Sequence, residues 1–168
     1  MHSRFEGKNV IAAIRMDDRL LHGIITTQWV PRISCNRVMV IDDLVANDPL
    51  KKEVMRLSKP VNKALSVLDR KEAVKNFKDG KYQEQRVFIL SRDFHILSDL
   101  MALGYDLPKI NIGMYFSKEG EYALTKRIVL SRQDMEIIHS LLHAGCNFET
   151  QYVPSDETIK LNPQLETL

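Results

Sequence analysis

The sequence predicts one α/β domain, a mostly parallel central sheet of about seven strands with helices on both faces. Three observations carry this expectation. Short, continuous apolar runs such as "VMVI" and "VFIL" suit strands covered on both sides. Longer amphipathic segments separate them, several bearing helix start and stop residues. The chain's 168 residues, 44% hydrophobic and 27% charged, fit a single globular unit, 1–168, with a sizeable core.

Taken in order, strands are expected over 10–14, 37–41, 64–68, 85–90, 109–112, 126–130 and 147–153. The first is followed by "GIITTQWV", which reads as a helix. In "NDPLKKEVMRL", Asp48 is a natural N-cap and Pro49 sits at the first helical position, where a missing N–H removes no bond. "DRKEAVKNF" places Glu72 three residues after Asp69, and "SRQDMEII" places Asp134 three after Ser131, both capping-box spacings. "SDLMALG" and "SLLHAG" end in Gly104 and Gly145, as left-handed C-caps require. Residues 1–8 and 155–168 read as mobile or peripheral, the tail after Pro154 being polar.

Composition excludes several classes of function. The 24 Lys plus Arg against 22 Asp plus Glu leave a formal charge of +2, without the basic, aromatic-interleaved stripe of a nucleic-acid binder. No apolar run approaches membrane-spanning length, and "MHSRFEGKNV" lacks a signal-peptide core, so a cytosolic protein is expected. Cys35 and Cys146 form no C-x-x-C pair, so no disulfide framework is expected. There is no Gly-rich nucleotide loop.

Ligands of open α/β sheets bind beyond the carboxyl ends of the strands. There the first strand runs into "IRMDDRLLHG", which sets Arg15, Asp17, Asp18, Arg19 and His22 around one turn. His22 falls at or just before a helix start, where free N–H groups and the positive dipole end favour an anion. Arg19 offers a bidentate grip on a phosphoryl group. Asp17 or Asp18 can take the proton of one ring nitrogen and leave the other lone pair free to attack. The spacing suits equally a polar loop whose histidine merely caps a helix. Other strand ends bring Asp42 and Asp43, Ser91 and Arg92, and "NIGMYF" around Asn111 and Gly113.

The rival cluster is "HSLLHAGC". His139 and His143 share a helix face with Cys146 just beyond, which is ligand-like spacing. They flank an expected apolar stripe of Met135, Ile138 and Leu142, so a structural role is preferred. His95 reads as a surface or satisfied histidine, Trp29 as packing against the sheet, and Asp42 with Asp43 as caps of the following turn.

"RMDDRLLHG" closely resembles the active loop of the IIB subunits of the mannose–fructose–sorbose family of bacterial sugar phosphotransferase systems. There the pattern is Arg-(Ile/Val)-Asp-Asp-Arg-Leu-(Ile/Val)-His-Gly. The resemblance continues through "VMVIDDLVANDPLKK" and "INIGMYFSKEG". The chain departs from the family at Ile24, commonly Gln, and in "NIGMY", which has one glycine where two are common. The resemblance implies that His22 carries the phosphoryl group, through Nδ1, with Arg19 and Asp17 as partners and Gly23, Arg15, Asp43, Asn111 and Gly113 in support. It implies a protein-Npi-phosphohistidine–sugar phosphotransferase with no metal or cofactor. A IIA subunit or domain would supply the phosphoryl group. Membrane IIC and IID subunits would hold the sugar and tie the protein to the inner face of the cell membrane. A relay histidine of this kind should sit on an open rim, outside any deep sugar pocket. Two other classes remain: a metal-dependent hydrolase using Asp17, Asp18, His22 and Asp43, and a non-catalytic regulatory module on the same fold.

Overall fold

In the computed structural model, which describes residues 9–168, the expected α/β domain is present. Six segments build its parallel sheet: β1 (Ile11–Met16), β2 (Arg37–Ile41), β3 (Ala64–Leu68), β4 (Val87–Ser91), β5 (Ile110–Ile112) and β9 (Phe148–Thr150). A seventh strand, β10 (Ile159–Lys160), pairs antiparallel with β9. The order is β10-β9-β5-β1-β4-β2-β3.

Strand alternation explains why both faces are covered. Val87 and Ile89 of β4, with Met39 and Ile41 of β2, enter one apolar cluster. Their neighbours Phe88, Leu90, Val38 and Val40 enter the other. The larger cluster is closed by α3 (Arg70–Lys78), α4 (His95–Ala102), α5 (Arg132–His143) and α6 (Asn162–Leu165). The smaller is closed by the helical stretch after β1, by α1 (Asp43–Ala46) and by α2 (Pro49–Leu57).

The local signals act as read, except that the Asp69–Glu72 box forms only its Asp69 half. Asp48 accepts N–H bonds from Leu50 and Lys51 at the start of α2, and Asp69 accepts from Glu72 at the start of α3. Ser131 and Asp134 form the full reciprocal box on α5. Gly104 and Gly145 take the left-handed conformation at φ 90° and 94°. Both cysteines are free and buried.

Three expectations are corrected. The strand expected over 126–130 is β8 (Ile128–Ser131), and it leaves the main sheet. It belongs to a second sheet with β6 (Tyr115–Phe116) and β7 (Gly120–Thr125). The tail is not free: β10 extends the main sheet, and Leu161 and Leu165 are buried in the larger cluster. The buried stripe of α5 is Met135, Ile138 and Leu141, in place of Leu142. Residues 1–8, with His2, lie outside the described residues. Among the described residues no helix is long and apolar enough to cross a membrane.

Candidate functional site

β1 lies between β4 and β5, and the chain passes from one side of it to the other after β4, so the strand order reverses there. Two backbone bonds fix the exit of β1 in that crevice: Asp17 N–H to the Ser91 carbonyl (3.1 Å) and Gly113 N–H to the Met16 carbonyl (2.9 Å). The loop beyond is anchored by Leu20 and Leu21, both buried in the smaller cluster. Leu20 takes φ 56°, a left-handed conformation that a leucine adopts only under constraint. Its N–H closes the turn onto the Asp17 carbonyl at 3.0 Å. Helical residues begin at Gly23 and continue as a π-helix over Ile25–Trp29. His22 therefore stands directly before a helix start.

Asp17 is the hub of the loop. Its carboxylate is fully buried, with Oδ2 receiving Arg15 Nε and Arg19 Nη2 and Oδ1 receiving Arg19 Nε, each at 3.2 Å. The Arg19 backbone N–H adds a bond to Oδ1 at 3.0 Å. Oδ2 also faces His22 Nε2 across a long contact of 3.7 Å. Burial opposes the negative charge, yet the facing imidazole and the two arginines prevail and hold the carboxyl well below the usual carboxylate range. His22 Nε2 is a buried atom with no partner inside hydrogen-bond distance, so the 18% of the side chain that meets solvent lies elsewhere on the ring.

Arg15, expected in support of the site, is buried. The side chain is 1% exposed and four of its five N–H groups bond to protein acceptors. Besides Asp17 these are Asn111 Oδ1 (2.6 Å), the Gln151 carbonyl (2.7 Å) and the Tyr152 carbonyl (3.0 Å). The guanidinium lies over the Trp29 ring at 4.7 Å, and the indole N–H reaches the Tyr152 carbonyl at 3.3 Å. Burial lowers the Arg15 pKa from its ordinary value, against the pull of Asp17. Arg15 thus braces Asp17 from behind. Arg19, on the solvent side, spends Nε and Nη2 on Asp17 and Nη1 on the Tyr152 hydroxyl (3.2 Å), which leaves two of its five N–H groups free for another oxyanion.

The remaining expected residues divide. Gly113 and Asn111 belong to the site through Arg15: a Cβ at 113 would collide with the guanidinium. Asn111 Nδ2 is buried without a partner. Gly23 is exposed, and a Cβ there would meet nothing within 4 Å. Asp18 faces away from His22; Oδ2 accepts the Phe116 N–H at 2.6 Å, and burial raises its carboxyl. Asp43, expected in support, instead accepts the Arg70 N–H at 2.8 Å on α3. Asp42 is the cap expected, accepting from Val45 N–H and gripped by Arg92 at 2.7 and 2.8 Å. The carboxylates of the hydrolase alternative therefore point to different elements. Among the described residues no group of three or more His, Cys, Asp or Glu stands together as a metal site. His139 bonds through Nε2 to the Leu165 carbonyl (3.0 Å), and His95 through Nδ1 to Asp93 (2.7 Å).

Sequence reasoning missed the second wall. Tyr152, just past β9, accepts from Arg19, lies beneath its guanidinium at 5.3 Å and is stacked by Arg127 at 3.9 Å. A groove of about 520 Å³ opens behind it, lined by Gly113, Arg127, Thr150, Tyr152 and Glu157 among others and not by His22. The rule that ligands gather at carboxyl strand ends applies to β9 as it does to β1 and was the available signal.

Comparison with known proteins gives the family. Residues 11–167 match the family model described as "PTS system sorbose subfamily IIB component". The sorbose-specific EIIB component of Klebsiella pneumoniae is 28% identical over 151 residues, covering 90% of this chain and 92% of that protein. The mannose-specific EIIAB component of Escherichia coli K12 is 26% identical over 152 residues, 90% of this chain but 47% of that longer protein. The crystal structure of the IIBSor domain of the Klebsiella pneumoniae sorbose permease superposes with a TM-score of 0.84 at 27% identity, covering 94% of this chain and 96% of that one. A single α/β domain carrying this loop at the carboxyl end of β1, matched over nearly its whole length, belongs to the sorbose-subfamily IIB components of the sugar phosphotransferase system.

Proposed function

We propose that His22 is the phosphoryl acceptor of this IIB component, receiving the group from a phosphohistidine on a IIA subunit or domain and passing it to a sugar held by membrane IIC and IID subunits. The observation that carries the reading is the buried Asp17 carboxylate facing Nε2 of His22 at 3.7 Å. A buried anion on that side favours the tautomer with its proton on Nε2, and so leaves the Nδ1 lone pair as nucleophile. Nδ1 attacks the phosphorus of the donor phosphohistidine, a new P–N bond forms as the donor's breaks, and the Asp17 charge stabilises the imidazolium character that develops. In the second transfer a sugar hydroxyl attacks, the P–N bond to His22 breaks and returns its electron pair to Nδ1, and the hydroxyl proton passes to solvent as the ester forms. Arg19 shares the Asp17 carboxylate with the ring, and its free N–H groups would neutralise the oxygens in flight, so positioning and charge supply the rate.

The mannose-specific relative, whose name joins IIA and IIB, supports a IIA donor. The partly covered position of His22, outside the neighbouring groove, supports an acceptor visited by partners over one that encloses a sugar. Supplying labelled phosphohistidine donor and mapping the product tests the reading. One acid-labile, base-stable phosphoryl group on His22 is expected; label on His95, His139 or His143 would reject it.

A further inference from the structure

α2 is inside out. It has no buried residue, and most of its apolar side chains point to solvent: Leu50 is 76% exposed, Leu57 81%, and Val61 beyond it 84%, with Val54, and Leu44 of α1, also exposed. Leu50, Val54 and Leu57 are spaced i, i+4 and i+7, one stripe on the helix, and Val61 follows in the turn beyond it. Only Met55 packs inward against the smaller cluster. Scattered exposed leucines are normal, but an aligned stripe on one helix marks a surface meant to be covered.

The stripe is set in positive charge. From Pro49 to Val61, Lys51, Lys52, Arg56 and Lys59 face one anion, Glu53, a local net of +3 against +2 for the whole chain. Arg56 pairs with Glu53 and Lys51 with Asp48, both on the exposed surface, where such pairs are weak. Lys52, Arg56 and Lys59 also rim a notch of about 270 Å³ whose floor is Leu65 and Val67 of the edge strand β3. Such a notch suits a phosphate headgroup above aliphatic chains.

From this we infer that α2 docks directly on an anionic lipid surface, its aliphatic stripe entering the acyl boundary and its cations meeting the headgroups. The composition separates lipid from protein as the occupant. Protein interfaces are enriched in Trp and Tyr and depleted in Lys, whereas this segment carries three Lys, one Arg and no aromatic residue between Pro49 and Val61. The end of α2 is also tied to the His22 segment, Thr26 Oγ1 donating to the Ser58 carbonyl at 2.7 Å. A docked α2 would therefore hold the His22 loop near the bilayer without help from another subunit. The inference does not rest on His22 being phosphorylated, since lipid binding is read separately from labelling.

Flotation of the full chain with phosphatidylcholine vesicles, with and without about one third phosphatidylglycerol, tests it. Binding is expected on the anionic vesicles, stronger by on the order of tenfold than on phosphatidylcholine alone, and weakening as salt rises. Leu57→Ser and Lys59→Glu, both at exposed positions, should each lower binding by on the order of tenfold while leaving the melting curve unchanged. Equal partitioning on both vesicles, or anionic binding indifferent to Leu57→Ser, would overturn the inference. So would a concentration-dependent dimer, seen by sedimentation equilibrium, that Leu57→Ser dissolves, because the stripe would then belong to a second copy. A soluble protein partner whose affinity falls with Leu57→Ser, in a chain that ignores vesicles, would overturn it as well.

Discussion

Gly113 and Arg15 occupy adjoining space so closely that no side chain fits at 113 while the guanidinium stays where it is. Arg15 has little freedom to yield, since it is buried and bonded to Asp17, Asn111 and two carbonyls. Gly113→Ala should therefore lower stability by about 1–3 kcal/mol, read from the urea midpoint, and slow phosphorylation of His22 in the protein that still folds. A wild-type midpoint would mean that Arg15 can move aside freely.

The adjacent carboxylates Asp17 and Asp18 should respond oppositely to amidation. Asp17→Asn leaves the buried Arg15 without its anion and should destabilise by about 3 kcal/mol at neutral pH. Because the folded carboxyl is held below its ordinary value, that contribution is complete above about pH 4 and disappears only in stronger acid. The gap between wild type and Asp17→Asn should stay constant from about pH 7 to pH 5 and close below about pH 4.

Asp18→Asn keeps an oxygen for the Phe116 N–H and removes a charge that burial disfavours. Its folded carboxyl is raised, so the wild type gains stability from this group as pH falls through that raised value towards the ordinary one. At neutral pH Asp18→Asn should be no less stable than wild type, with a gain of up to about 1 kcal/mol that shrinks on acidification. A loss at neutral pH would show that the Asp18 charge, facing Arg92, stabilises the fold.

Arg19→Lys removes a planar fork from a partly exposed position and should leave the fold intact. Phosphorylation of His22 should slow by on the order of 10²-fold in a rapid-quench assay. Tyr152→Phe, which keeps the ring under Arg19 and Arg127 but loses one hydrogen bond, should slow it by less than about tenfold. Equal losses in the two variants would mean that Arg19 acts mainly through Tyr152.

Chelation should leave the melting temperature of the dialysed protein unchanged, because His139 already has a carbonyl partner on α6. A loss that zinc restores would make "HSLLHAGC" a metal site instead.

What could be read in advance was local. Asp48, Asp69 and Ser131 announce helices because each bonds to an N–H within three residues. β7 went unseen because it turns into β8 through Lys126 and Arg127, which carry none of the Asn-Gly chemistry of tight hairpins. His22, Asp17 and Arg19 lie within six positions and were legible together. Tyr152 was not, since its place beside Arg19 depends on which strand neighbours β5. Asp43 was misplaced for a related reason. Adjacent residues at a strand end diverge, so Asp42 turns to Arg92 while Asp43 turns to α3.

The bonds from Arg15 to the carbonyls of Gln151 and Tyr152 join positions 136 and 137 residues apart. A chain leaving the ribosome offers Arg15 long before those acceptors, so the brace behind Asp17 cannot close until they follow. Until residue 152 emerges, a buried cation lacks half its acceptors and the loop has no fixed shape. Acquisition of activity should thus wait for residue 152, and a nascent chain stalled short of Tyr152 should hold strands β1 to β5 yet accept no phosphoryl group.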